Sequence, residues 1–224
     1  GSIHLKSNVT IHLLEGGVLL GTLNPLDYER KGLTAFILCH DQQNIAITGK
    51  GVIDGQGREV ARNVVALVHK GLIKDVFRND RPEVPIRPML IYFRECKNIL
   101  IKSVTMRNAA ACVQTYDQCK DLAIDSITVD SRAFWNNDGI DIVDCDRVTI
   151  TNSYIDSDDD GICLKSHDST KVCQNIYVRN CTIRSSANGI KFGTASLGGF
   201  KNVKLINIKI FDTYRSAIAL EAVD

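Results

Sequence analysis

Asn98-Ile99-Leu100-Ile101, Asp121-Leu122-Ala123-Ile124, Arg147-Val148-Thr149-Ile150, Asn175-Ile176-Tyr177-Val178 and Asn202-Val203-Lys204-Leu205 are five versions of one phrase: a polar residue, then branched apolar residues in alternation. They follow one another at steps of 23, 26, 28 and 27 residues. Two earlier copies are Asn8-Val9-Thr10-Ile11 and Asn44-Ile45-Ala46-Ile47. Period-two alternation puts Ile99 and Ile101 on one face of a strand. A single strand cannot bury that face alone, but a stack of copies can, and such a stack is a solenoid. The polar residue before each strand marks a turn, where amide side chains can hydrogen-bond along the column. Helical spacing is never sustained for more than about ten residues, and the regular leucine framework of a leucine-rich repeat is missing. The expected fold is therefore all-β, a right-handed parallel β-helix. Three parallel sheets are expected, with no long helix outside residues 59–80.

The bulk composition narrows the partners. With 27 basic against 26 acidic residues there is no electrostatic footprint for nucleic acid or an anionic membrane. No apolar run approaches the roughly 18–20 residues of a membrane span. The first residues, Gly1-Ser2-Ile3-His4-Leu5, are already strand-like, and Glu221-Ala222-Val223-Asp224 directly follow another strand-like run. Residues 1–224 are thus expected to be one partial β-helix domain, truncated at both ends. An insertion at 60–88 breaks the period and carries Pro82, Pro85 and Pro88. It reads as a loop with some helical spacing over 59–74, lying over one face and rimming a cleft.

Of eight cysteines, Cys96, Cys119, Cys145 and Cys173 stand two residues before the polar position of the phrase. No Cys-x-x-Cys pair occurs, so the spacing of a zinc ribbon is absent. A column of buried free thiols is expected rather than a disulfide framework.

A second phrase repeats in step with the first: Asp138-Gly139-Ile140-Asp141-Ile142, Asp160-Gly161-Ile162-Cys163-Leu164, Asn188-Gly189-Ile190-Lys191-Phe192 and Ser216-Ala217-Ile218-Ala219-Leu220. Its first positions should stack at about 4.8 Å per coil, bringing Asp138 beside Asp160, with Asp159 next to it along the chain. Carboxylates this close raise one another's pKa, so one can stay protonated while another acts as a base. Glycoside hydrolysis uses such a pair. Turn-capping acids or a calcium site would also produce an aspartate column, and spacing alone does not choose between them.

Asn136-Asn137-Asp138-Gly139-Ile140-Asp141 and Asp159-Asp160-Gly161-Ile162-Cys163-Leu164-Lys165-Ser166 resemble the signature of glycoside hydrolase family 28, the polygalacturonase and rhamnogalacturonase family, whose motifs read Asn-Thr-Asp and Asp-Asp. The runs Leu14-Glu15-Gly16-Gly17-Val18-Leu19-Leu20-Gly21 and Gly49-Lys50-Gly51-Val52-Ile53-Asp54-Gly55-Gln56-Gly57 resemble its early coils. The resemblance implies hydrolysis with inversion and no metal or cofactor. Asp159 would be the general acid, with Asp138 and Asp160 positioning and deprotonating water. It further implies a secreted or periplasmic monomer acting on a polysaccharide or oligosaccharide.

The departures are as informative. The family's Gly-His-Gly is Ala187-Asn188-Gly189 here, and its Arg-Ile-Lys, which grips a galacturonate carboxylate, is Ala219-Leu220-Glu221. Two cations lost and one negative charge gained should repel a uronate at that subsite. A rhamnogalacturonan hydrolase, or an exo-acting enzyme on a neutral or side-chain sugar, fits better than an ordinary polygalacturonase. Asn188, Lys165, Lys191, Glu221 and the sole tryptophan, Trp135, are the candidate substrate contacts. Asp141 and Asp144 are expected to be structural, and His167 a bystander. The competing readings are a polysaccharide lyase, which needs a calcium cluster and a basic residue at the uronate, and a non-catalytic carbohydrate-binding β-helix.

Overall fold

The computed structural model describes residues 1–29, 32–75 and 80–223, and the chain winds as a parallel β-helix. The polar residue opening each phrase has a left-handed backbone, with φ of 57° at Asn44, 52° at Asn98, 56° at Asp121 and 57° at Asn175. Asn and Asp tolerate this region better than other side chains with a Cβ. The amides form the expected ladder: Asn44 Nδ2 donates to Asn8 Oδ1 at 2.8 Å, and Asn98 Nδ2 to Asn44 Oδ1 at 2.8 Å. Where Asp121 and Arg147 interrupt it, the Arg147 guanidinium donates to both Asp121 oxygens, at 2.6 and 2.9 Å.

Behind the turn, Ile45, Ile99, Leu122, Val148, Ile176 and Val203 pair in one register, and Ile47, Ile101, Ile124, Ile150, Val178 and Leu205 in the next. Nearly all are buried, so each coil covers the apolar pair of its neighbour. The cysteines at 96, 119, 145 and 173 are fully buried free thiols on the same inner wall.

Among the described residues the strands form three columns but two hydrogen-bonded sheets. The first sheet has eight parallel strands, running from Ile3–His4 through Ala35–His40, Met89–Arg94, Gln114–Asp117, Ile140–Val143, Ile162–Ser166 and Ile190–Ser196 to Ile218–Ala222. The other two columns merge into one twelve-stranded sheet, because Cys173–Ser185 runs unbroken from one to the other. The expectation of three separate sheets is corrected accordingly. A turn of one left-handed residue, such as Asn180 at φ 53°, bends the strand without ending its hydrogen bonding.

The insertion is not simply a loop. Helix α1 spans Gly57–His69 and buries Val60, Ala61 and Val64. It begins two residues before the expected helical spacing at 59, and a Cβ at Gly57 would lie 2.2 Å from the Ala109 carbonyl. Only glycine lets the chain leave the coil so close to its neighbour. Residues 76–79 of the insertion lie outside the described residues. Beyond them Arg81, Val84 and Pro85 wall a cleft over the first sheet, as the sequence led us to expect. No helix among the described residues is long and apolar enough to cross a membrane.

Candidate active site

Backbone hydrogen bonds put the second phrase in register. Gly139 N donates to Asp160 O at 2.9 Å, Gly161 N to Asn188 O at 2.8 Å, and Gly189 N to Ser216 O at 2.9 Å. Asp138, Asp160, Asn188 and Ser216 therefore occupy equivalent places on successive coils. The glycine that follows each is required by packing. A Cβ on Gly161 would stand 2.5 Å from both Gly189 O and Ile183 Cγ2.

In front of this column lies a cleft of ≈ 600 Å³ lined by Asp138, Asp141, Asp159, Asp160, Lys165 and Lys191, among others. Carboxylate oxygens of Asp138 and Asp160, with Cys163 Sγ, lie within 4.8 Å of one another. Lys165 Nζ sits 3.0 Å from Asp138 Oδ2 and 2.7 Å from Asp141 Oδ1, while Thr115 Oγ1 donates to Asp141 Oδ2 at 3.2 Å. Asp160 Oδ1 accepts from Asn188 N at 3.1 Å and Asn188 Nδ2 at 2.7 Å. Lys191 Nζ is 3.5 Å from Asp160 Oδ2 and 3.0 Å from Glu221 Oε2.

Asp159 is placed through its backbone: its carbonyl accepts from Ser185 Oγ at 2.6 Å and from Ser157 Oγ at 2.9 Å. Its carboxylate accepts from Asp160 N at 3.1 Å and faces the cleft. Burial pushes the Asp159 carboxyl up, and the charge of Asp160 adds to the rise. Neighbouring charge was the cause expected from sequence; desolvation is the larger one. Burial likewise raises Asp138 far above an ordinary aspartate, and Lys165 only partly offsets this. Lys165 is held protonated by Asp141 and Asp138 despite the desolvation that opposes it.

Two groups have metal-ligand spacing, Cys112 with Asp138 and Asp141, and Asp138 with Asp160 and Cys163. Neither suits calcium, which takes six to eight oxygen ligands, since each group contributes a thiol. The ammonium of Lys165 already stands on Asp138 and Asp141, where a cation would bind.

The loop preceding Asp138 is pinned by Asn137, which stands inside the quoted motif without an assigned role, and by Arg87, which the sequence did not single out. Asn137 Oδ1 accepts from Ser131 Oγ at 2.7 Å, and its Nδ2 donates to the carbonyls of Ala109 and Ala111. Arg87, fully buried, donates to Pro82 O at 2.8 Å, Ala110 O at 2.7 Å, Trp135 O at 2.5 Å and Asn136 Oδ1 at 2.8 Å. Burial lowers its pKa to about 10, so it stays charged at neutrality and ties the insertion to residues 135–136. Arg87→Met should strand four acceptors, two of them buried and two partly buried. We expect a stability loss on the order of 3–5 kcal/mol, read as a fall in denaturant midpoint, and a weakened site before unfolding begins.

The other sequence candidates divide. Lys191 lines the cleft, whereas Asn188 is buried behind Asp160 and acts on that carboxylate. Glu221 meets Lys191 and Thr194 rather than the aspartates. Trp135 is 57% exposed and is not among the cleft residues, but the Arg81 guanidinium stacks 4.6 Å from its ring centre. His167, expected to be a bystander, lines the cleft, and Arg215, not considered from sequence, lines it too. Arg215 was legible: it precedes Ser216 just as Asp159 precedes Asp160.

A model of glycosyl hydrolases family 28 matches residues 2–172. An exopolygalacturonase of Zea mays is 27% identical over 236 residues, covering 89% of this chain and 53% of that protein. An endo-polygalacturonase of Pectobacterium carotovorum subsp. carotovorum is 24% identical, covering 88% of this chain and 52% of that one. The chain thus spans about half the length of these curated relatives. A family 28 exopolygalacturonase structure from Yersinia enterocolitica superposes with a TM-score of 0.87 at 21% identity, over 98% of this chain and 48% of that one, and has the same fold.

Proposed function

Because the chain belongs to glycosyl hydrolases family 28, we propose that it hydrolyses a glycosidic bond in a pectic or related chain, with inversion. The observation that carries this reading is the convergence of Asp138, Asp159 and Asp160 on one open cleft, with the Asp159 carboxyl raised. A raised carboxyl retains its proton at higher pH and can deliver it to the leaving oxygen. Asp160, gripped as an acceptor by Asn188, then orients water and draws off its proton. Asp138 shares that task in its ionised form, which the Lys165 ammonium 3.0 Å away favours against the burial that raises its carboxyl. Inversion requires room for water between acid and base, a carboxyl separation of about 6.5–9.5 Å.

The sugar at the reacting position is neutral in this reading. Lys191, the cation nearest Asp160 from the following coil, is already paired with Glu221, and position 219 is alanine. A polymer of plant cell walls places the protein outside the cytoplasm, secreted or periplasmic, working as a monomer.

The test is incubation with pectic polymers, following reducing ends and the ultraviolet absorbance of unsaturated uronates. New reducing ends without that absorbance are expected, together with a product of inverted anomeric configuration. Absorbance rising with reducing ends would mean elimination, and binding without either would mean a carbohydrate-binding module.

A further inference from the structure

We propose that Trp135 is a stacking platform outside the catalytic cleft, taking a pyranose ring that branches from the main chain bound beside Asp138. The hydrolytic reading above supplies only the position of that main chain.

Trp135 belongs to the coil of Asp138, which has neighbours on both sides: Val113 N donates to Asp138 O at 2.8 Å, and Gly139 N to Asp160 O at 2.9 Å. It is nevertheless 57% exposed. Leu14, Val18 and Leu20 are exposed on the first coil, and Ile218 and Leu220 on the last; Trp135 is open where the solenoid is continuous. Its backbone is fixed. Trp135 O accepts from Arg87 at 2.5 Å, and the same guanidinium holds Asn136 and lies 5.2 Å from the centre of the Phe134 ring. Phe134 packs against the core, while the ring that follows it stands outward.

The surroundings name the ligand. One indole face lies under the Arg81 guanidinium, 4.6 Å from the ring centre, so the exposure belongs to the other face and the edges. Arg81 and Asn136 both line the cleft, which puts Trp135 on its rim. A flat aromatic beside fixed polar groups suits a ligand with one apolar and one polar side. A pyranose ring has both: its C–H face stacks on the indole, and its hydroxyls meet the donors of Arg81. Successive coils stack along the solenoid axis, so an unbranched polymer that follows Asp138 and Asp160 runs along that axis. Trp135 lies beside that line, three residues ahead of Asp138 on the same coil. A ring that reaches it leaves the main chain sideways, as a branch does.

Trp135 is the only tryptophan among the 224 residues, so indole emission reports on it directly. The ligands are a pectic oligosaccharide carrying single-sugar branches and the same oligosaccharide after mild acid has trimmed the branches away. Asp159→Asn protein is used so that neither is consumed, with Trp135→Phe in the same background as the blank. The branched ligand should shift the emission to shorter wavelength and saturate, and the trimmed one should leave it unchanged. In otherwise native protein, Trp135→Ala should lower kcat/KM on the branched polymer relative to the trimmed one by roughly 3- to 10-fold, the worth of one aromatic stacking contact, mainly through KM. Each ratio is taken within one variant, so a partial folding defect cancels. An equal emission shift with both ligands would place the main chain itself on Trp135 and overturn the branch. Reducing ends released from the branched polymer with unmoved emission, or an unchanged ratio in Trp135→Ala, would remove the platform while the hydrolytic reading stands. An emission shift confined to the branched ligand, without reducing ends from native protein, would leave the platform and remove the hydrolysis. If neither appears, both fall together.

Discussion

Asp159→Asn should lower kcat by roughly 10²- to 10⁴-fold, the usual contribution of a positioned general acid, while the protein remains folded. The two serine hydrogen bonds that place this residue go to its backbone carbonyl, so the amide does not disturb them. The amide oxygen can still accept from Asp160 N, as the carboxylate does at 3.1 Å. The sign of the stability change follows from the raised carboxyl. A carboxyl whose native pKa lies above its unfolded value adds stability below the unfolded pKa and loses it as pH rises through the native one. At neutral pH the native protein therefore carries a penalty for ionising Asp159, which asparagine removes. The melting temperature near pH 7 should be unchanged or slightly higher. An aryl glycoside with a good leaving group needs little protonation and should lose much less rate than the polymer. An Asp159→Asn protein with undiminished kcat on the polymer would remove Asp159 from the acid role.

The fold was legible wherever every coil meets the same physical demand. Each turn needs a residue that accepts a left-handed backbone, and each strand needs alternate apolar side chains, so the phrase at 98, 121, 147, 175 and 202 repeats. The glycines at 139, 161 and 189 belong to the same class, since a Cβ at any of them would meet an atom of the next coil within 2.6 Å. Features that occur once were not legible. Arg87 sits in a proline-rich insertion with no period, and its four acceptors come from three separate stretches of chain. The union of two strand columns depends on how sharply a single residue bends the chain, which apolar alternation does not encode. Lys165 is an intermediate case. Its register, opposite Val143, was available from the repeat, but that it reaches diagonally to Asp138 and Asp141 became visible only in three dimensions.

That diagonal reach makes Lys165→Met the change with the largest expected dependence on pH. The Lys165 side chain is 22% exposed and those of Asp138 and Asp141 are 9% and 2% exposed, with contacts of 3.0 and 2.7 Å. Removing the ammonium leaves two poorly solvated carboxylates without their cation, a defect that typically costs about 3–5 kcal/mol at neutral pH. Lys165 has its pKa raised above 10.5, so its own contribution is fully present below that value and constant from mildly acid to mildly alkaline solution. Any pH dependence of the deficit in this range therefore comes from the carboxylates. Asp138 is already raised by burial against the opposing pull of Lys165; without the lysine it rises further. Proton uptake then relieves the repulsion, so the loss of stability should be larger at about pH 8 than at about pH 5. The kinetic consequence runs the same way. Asp138 must lose its proton to help activate water, so the acid limb of kcat/KM should move to higher pH. Were Lys165 instead a contact for an acidic sugar, Lys165→Met would raise KM and leave that limb where it was. Stability that falls equally at both pH values, together with an unmoved acid limb, would return Lys165 to the substrate-binding role.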